Sequence, residues 1–288
     1  MDSYVIFTDS ACDLSPETLR DWGVRYESLT YTFNTSPRSY ENYELPFPEF
    51  YGRMRNGEVA KTAAVNIEKF LESFRECLDN GQDILYIGFS SGLSNTVNAG
   101  IKAAEVLGPE YPGRKIIVID TLAASAGEGL LLYFAVEARR RGATIEEAES
   151  AVRDRIFKLD HWFTVDDLVY LKRGGRVSAA AAFFGGVLGI KPVLHVDDEG
   201  HLIPVTKVRG RKASLKALAD KYTELAETPE EGTVFISHGD CIEDAEYLAG
   251  LIKEAHGVEV KIITYVGSVI GAHSGPGTMA LFFVGKMR

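Results

Sequence analysis

What most constrains the fold of this chain is an alternation of short β-type runs with helical patterns. Tyr4-Val5-Ile6-Phe7 ends at Thr8-Asp9-Ser10 and is followed by Ser15-Pro16, a helix start with serine as N-cap and proline in the first helical position. The run DILYIGF (83–89) precedes a helical pattern from about Ser94 to Leu107, and KIIVID (115–120) precedes a small-residue helical pattern over 121–142. Parallel strands need a crossover of roughly a dozen residues or more, and these intervals supply one. The expected class is therefore α/β with mostly parallel strands.

Other segments fill in this outline. VRYESLTYTF (24–33) is expected as one strand, and residues 45–57 as a short helix inside a long connection. Ile67, Phe70, Leu71, Phe74 and Leu78 recur at helical spacing behind Asn66, a natural N-cap. Thr144-x-x-Glu147 is a capping box opening a helix to about Leu159. Near Asp160 the character changes. HWFTV (161–165) is strand-like, 166–176 reads as a helix, and IKPVLHV and HLIPVTKV flank Asp197-Asp198-Glu199-Gly200 as a hairpin. A helix (211–227), a strand (232–239), a helix (241–256) and strands at 258–266 and 279–285 follow, so a domain boundary is expected near residue 160.

Composition narrows the function classes. A formal charge of −10 disfavours nucleic acid or an anionic membrane surface as the main partner. Cys12, Cys77 and Cys241 are far apart with no C-x-x-C spacing, which fits a reducing cytoplasm and neither a disulfide framework nor a zinc site. The N-terminus has no signal-peptide pattern, and the longest apolar run, Ala179 to Ile190, is too short to span a bilayer. No H-E-x-x-H or H-x-x-x-H pattern suggests a metal, and no G-x-x-x-x-G-K-[ST] suggests a phosphate loop.

The stretch GFSSGLSNT (88–96) carries the chemistry. Gly88-Phe89-Ser90-Ser91-Gly92 satisfies G-x-S-x-G, the strand-to-helix turn that exposes a hydrolase nucleophile. On that reading Ser90 or Ser91 serves an esterase or thioesterase with His273 as base. Against it, no His-Gly oxyanion motif precedes the serine, because the first histidine is His161. The second reading is a holder for a carboxylate. In parallel α/β sheets ligands collect at the carboxyl ends of strands, beside helix N-termini. Thr8-Asp9-Ser10, the Ser90-Ser91-Gly92-Leu93-Ser94 turn and Asp120-Thr121 are three such ends, which makes Ser10, Ser90, Gly92 and Thr121 neighbours of one site.

Thr8-Asp9-Ser10, SSGLSNT (90–96), DTLAASAGEG (120–129), LVYLKRGGRVS (168–178), GIKPVLHVDDEG (189–200) and GAHSGPG (271–277) occur in that order. Together, and from end to end, they resemble the DegV family of bacterial fatty-acid-binding proteins. The resemblance implies a parallel-sheet α/β domain (1–160) and a mixed-sheet domain (161–288), with a long-chain fatty acid between them and no cofactor. It implies no enzyme, but an acyl-binding subunit that presents the carboxylate to a separate ATP-dependent fatty acid kinase. By the same resemblance Thr62, Ser91 and Ser94 bind the carboxylate with His273 close by, in a largely neutral site. Arg173, Arg176 and Arg209 match positions linked to kinase docking or phosphoryl transfer. Two positions depart from the family pattern: Thr62-Ala63-Ala64-Val65 stands for Thr-Ser-x-Pro, and Asn95 for the commoner glycine. They leave open another lipid or a small carboxylate as ligand. VSAAAAFFGGVLGI (177–190) is expected either to wall the acyl tunnel or to form an ordinary packing helix.

Overall fold

The computed structural model describes residues 4–177 and 189–288, so most of the 177–190 segment lies outside the described residues. The first half runs β1 (Tyr4–Asp9), α1 (Pro16–Asp21), β2 (Val24–Glu27), β3 (Thr30–Phe33), β4 (Ser39–Glu41), α2 (Phe47–Arg55), β5 (Ala60–Ala63) and α3 (Ile67–Asp79). It continues through β6 (Asp83–Gly88), α4 (Thr96–Leu107), β7 (Ile116–Asp120), α5 (Ala126–Arg140) and α6 (Ile145–Ile156). The rest is β8 (Leu159–Thr164), α7 (Val169–Gly174), β9 (Ile190–Val196), β10 (Leu202–Arg209), α8 (Arg211–Leu225), β11 (Phe235–His238), α9 (Ile242–His256), β12 (Ile262–Tyr265), α10 (Ser268–Ser274) and β13 (Met279–Val284).

Among the described residues the strands form three sheets. β2-β1-β6-β7 is wholly parallel, β10-β9-β8-β13-β11-β12 is mixed, and β4-β3-β5 is antiparallel. The mixed α/β class, with one parallel and one mixed sheet, is as expected. The third sheet is not. The run 24–33 divides at Ser28-Leu29: β2 stays in the parallel sheet while β3 leaves it. Hydrogen bonds hold the break, from Leu29 N to Ser10 Oγ and from Asn42 N to Ser28 Oγ.

Residue alternation stacks these elements in layers. Phe7 and Tyr86 face α3 and α4, whereas Ile6, Leu85 and Ile87 face α5 and α6. The mixed sheet covers the other side of α5, so Leu130, Ala135, Phe163, Phe235 and Phe282 share one core with the parallel sheet. On its outer face Trp162, Leu281 and Phe283 pack on α8 and α9. This shared core crosses residue 160, and burying each large apolar side chain contributes about 1.5–3 kcal/mol.

Helix starts follow local chemistry where that chemistry is strong. Ser15 caps α1 through Thr18 N, Asn66 caps α3 through Lys69 N, and both bonds of the Thr144–Glu147 box are made. The helix expected from residue 121 begins at Ala126 instead. Residues 121–125 form a turn in which Leu122 and Ser125 take positive φ, a conformation that ends helical periodicity.

Candidate functional site

A cavity of about 250 Å³ lies between the loops at the carboxyl ends of the parallel sheet and the inner face of the mixed sheet. Phe89, Leu93 and Ala124 come from the first side; Phe163, Ala280 and Phe282 come from the second. One end carries the polar groups of interest. There Thr62, Ser94 and His273 line the wall beside the exposed Ala64 and Asn95, which mark the mouth.

The mouth brings distant parts of the chain together. Thr62 sits on β5, an edge of the small sheet, and its Oγ1 lies 2.9 Å from His273 Nε2 on α10 across 211 residues of sequence. Burial, with the nearby Arg176 charge, lowers the His273 imidazole to about 4, so it is neutral at physiological pH. Its Nδ1 is buried without a partner. Ser94 Oγ accepts from Thr96 N at 3.2 Å and pairs with Thr96 Oγ1 at 2.9 Å, so this serine both starts α4 and faces the cavity. Arg176 is held in the wall by Leu93 O at 3.2 Å and Gly174 O at 2.6 Å. The mouth is thus a pair of hydroxyls, a neutral imidazole and one guanidinium, a set suited to an acceptor-rich head group.

The other expected site residues are placed differently. Ser91 is exposed, and it is absent from the cavity lining; its N–H donates to Asp120 Oδ1 at 3.2 Å. Ser90 is fully buried, donating to Gly200 O at 3.0 Å while accepting from Gly92 N at 3.1 Å. Thr121 donates to Gly88 O at 2.7 Å, and Ser10 holds Leu29 N at 3.0 Å. These residues brace the strand ends behind the cavity. Ser90 spends its donor on Gly200, and His273 on Thr62 has no bond to Ser90 or Ser91, so the structure does not assemble an esterase pair.

The two arginines of the KRGGR motif also separate. Gly175 takes φ 68°, which closes α7 and turns the chain back, leaving Arg173 exposed over the Tyr170 ring and Arg176 in the wall. Arg209 is exposed at the end of β10. Gly174 packs directly on the imidazole, and any Cβ there would overlap His273 Nδ1. Gly174→Ala is therefore expected to displace His273 and to cost roughly 1–3 kcal/mol of stability. Chemical denaturation, with the imidazole resonances of His273 as a local probe, checks both effects.

Four polar lining residues were not anticipated: Ser125, Ser274, Thr278 and His161. The period-two pattern His161-x-Phe163 carried a signal for the last, since both must face one side of β8. Among the described residues no cluster of His, Cys, Asp and Glu has the makings of a metal site, and no helix is long and apolar enough to cross a membrane.

Comparison with known proteins decides the family. The model described as "Uncharacterised protein, DegV family" matches residues 3–286. The chain belongs to the DegV family. This DegV chain is 44% identical to a DegV domain-containing protein of Clostridium perfringens, over 100% of its own length and 99% of the relative's. A structure described as fatty acid binding of a DegV family protein from Thermus thermophilus superposes with a TM-score of 0.88 at 28% identity, covering 98% of this chain and 99% of that one. A stearic acid-binding protein from Eubacterium ventriosum gives 0.88 at 26% identity, covering 98% of each chain. The pairing of a parallel with a mixed sheet is the DegV fold of these fatty acid-binding neighbours.

Proposed function

We propose that this protein binds a long-chain fatty acid, tail inward and carboxylate at the mouth, and presents that carboxylate to a separate ATP-dependent fatty acid kinase in the cytoplasm. One observation carries the reading: the cavity lining is mostly apolar, and Thr62, Ser94 and the neutral His273 imidazole stand beside the exposed Ala64 and Asn95. Each buried methylene contributes ~0.8 kcal/mol, so a chain of about fifteen gives up to ~12 kcal/mol before the costs of binding. The tail then supplies most of the affinity and the mouth supplies orientation. Thr62, Ser94 and His273 hold the carboxylate; Ser91, exposed beside them, is left out of the cradle. Arg176 provides the single positive charge, while Arg173 and Arg209 are free to meet the partner.

Residue 160 is the natural seam in this reading, with residues 1–160 supplying Thr62 and Ser94 and residues 161–288 supplying His273, Arg176 and the tail wall. Bound fatty acids in related DegV structures support it, and so does the open mouth, which leaves a head group accessible. Native mass spectrometry of protein purified from cells is expected to show a co-purified long-chain acid. Protein that is empty and takes up no such acid would sink the proposal. In the same preparation Arg173→Ala is expected to keep the lipid while losing turnover with a cognate kinase; loss of lipid would place Arg173 in the pocket instead.

A further inference from the structure

His161 stands in the inner wall of the same cavity and has no part in the head-group cradle. Strands β8 and β13 run along the cavity: Thr278, Ala280 and Phe282 line it at every second position, with Phe282 opposite His161. Thr278 is tied to Gly275 O at the end of α10, close to the mouth. At ~3.4 Å per residue, Phe282 and His161 lie ~14 Å further along the wall.

Arg288 fixes the state of this imidazole. Its guanidinium donates to the carbonyls of Ile156, Leu159 and Asp197, and Nη2 lies 3.0 Å from His161 Nε2. A guanidinium can only donate, so Nε2 accepts and the ring proton sits on Nδ1. Burial, reinforced by the Arg288 charge, pushes the imidazole well below its ordinary range and keeps it neutral. The resulting Nδ1–H donor is buried and has no acceptor. Beside it α5 presents the bare backbone of Gly127, where even a Cβ would come within 3.0 Å of Nδ1. Buried donors are rarely left unpaired, because an unmade hydrogen bond costs the full desolvation of the group.

We propose that the cavity takes an acyl chain carrying an oxygen acceptor part-way along its length, a hydroxy or oxo fatty acid, with that oxygen bonded to His161 Nδ1. This rests on the fatty-acid reading above and adds the ligand class. The depth of His161 selects the position of the oxygen: far from the carboxylate, on the part of the chain that reaches Phe282. Set against the apolar lining, Phe163, Leu171 or Phe282, a chain hydroxyl has no partner and weakens binding.

Competition against a fluorescent fatty acid tests this, using lipid-stripped protein, stearate, and hydroxystearates substituted beside the carboxylate, at mid-chain and near the methyl end. The mid-chain isomer is expected to bind at least as tightly as stearate and the methyl-end isomer about tenfold more weakly, while the isomer substituted beside the carboxylate keeps its hydroxyl at the polar mouth, out of reach of His161, and gains nothing over stearate. His161→Phe is expected to abolish this preference, weakening the mid-chain isomer about tenfold relative to stearate measured on the same variant. If the mid-chain isomer is as weak as the methyl-end isomer on the unaltered protein, or if His161→Phe leaves its preference intact, the inference is overturned while stearate binding keeps the fatty-acid reading. If no fatty acid binds, both fall. Should the variant not fold, the isomer series on unaltered protein decides alone.

Discussion

Tyr86→Ala is expected to destabilise the protein by roughly 3–5 kcal/mol, the range for truncating a large buried aromatic. Tyr86 is fully buried on β6, with ring centroids of Phe70 and Phe74 at 4.9 and 6.1 Å. Two glycines are shaped around it: a Cβ at Gly88 would come within 2.6 Å of the ring and one at Gly100 within 2.5 Å. Those glycines let β6 and α4 close over the ring, so its removal leaves a cavity that the backbone cannot easily fill. Its hydroxyl donates to Asp9 Oδ2 at 2.8 Å, and the same oxygen accepts from Phe89 N at 3.0 Å. Phe89 is a wall residue of the ligand cavity, so the loss reaches the site. Tyr86→Phe isolates the hydroxyl and is expected to cost less, about 1–3 kcal/mol, because Asp9 keeps two backbone donors. Urea denaturation of both variants separates packing from hydrogen bonding. An alanine variant no less stable than the phenylalanine one would show that the ring is not the packing centre proposed.

Much of this organisation was legible in local chemistry. Ser15, Asn66 and Thr144 act over three residues, so their helix starts can be read without knowing the fold. Ser94 and His273 stand in the ordered motifs and Thr62 outside them, but the meeting of Thr62 with His273 depends on a contact across 211 residues, which no spacing encodes. The break at Ser28-Leu29 was hidden because strand character runs unbroken through it; what separates β2 from β3 is Ser10 holding Leu29. Ser91 and Ser94 look equivalent in the turn, yet Ser91 faces outward while Ser94 lies under the start of α4. Arg173 and Arg176, neighbours in one motif, are placed apart for a similar reason. One left-handed glycine, Gly175, sends the two side chains to opposite environments.

The second large effect is a loss of stability as pH rises through neutrality. Asp13 is buried just past the 3-10 turn Ser10–Cys12 that follows β1, where its carboxyl accepts from Ser125 Oγ, a hydroxyl also 2.9 Å from Ser237 Oγ. Burial raises Asp13 to about 8 and Asp9 to about 6, and it pushes Glu128 well above the usual carboxylate range. A carboxyl raised in the folded state keeps its proton there while the unfolded chain has lost it. The folded state therefore binds more protons, and each such group removes up to ~1.4 kcal/mol per pH unit as pH rises from ~4 to its folded value. Below the ordinary histidine range the sign is opposed: His195 and His273, both lowered to about 4 by burial, favour the folded state less as pH falls. The clean window therefore lies above ~6.5 and below about 8, where Asp13 acts together with Glu128 and without the histidines. The melting temperature of the unaltered protein is expected to fall across that window. Asp13→Asn is expected to flatten the slope and to match or exceed the unaltered protein at the alkaline end, since the amide needs no proton to be neutral. Ser125 lines the cavity with φ 56°, so the same titration is expected to loosen the wall that it shares with the ligand. A melting temperature that rises between those limits, or an Asn variant with the original slope, would place the titrating proton on another group.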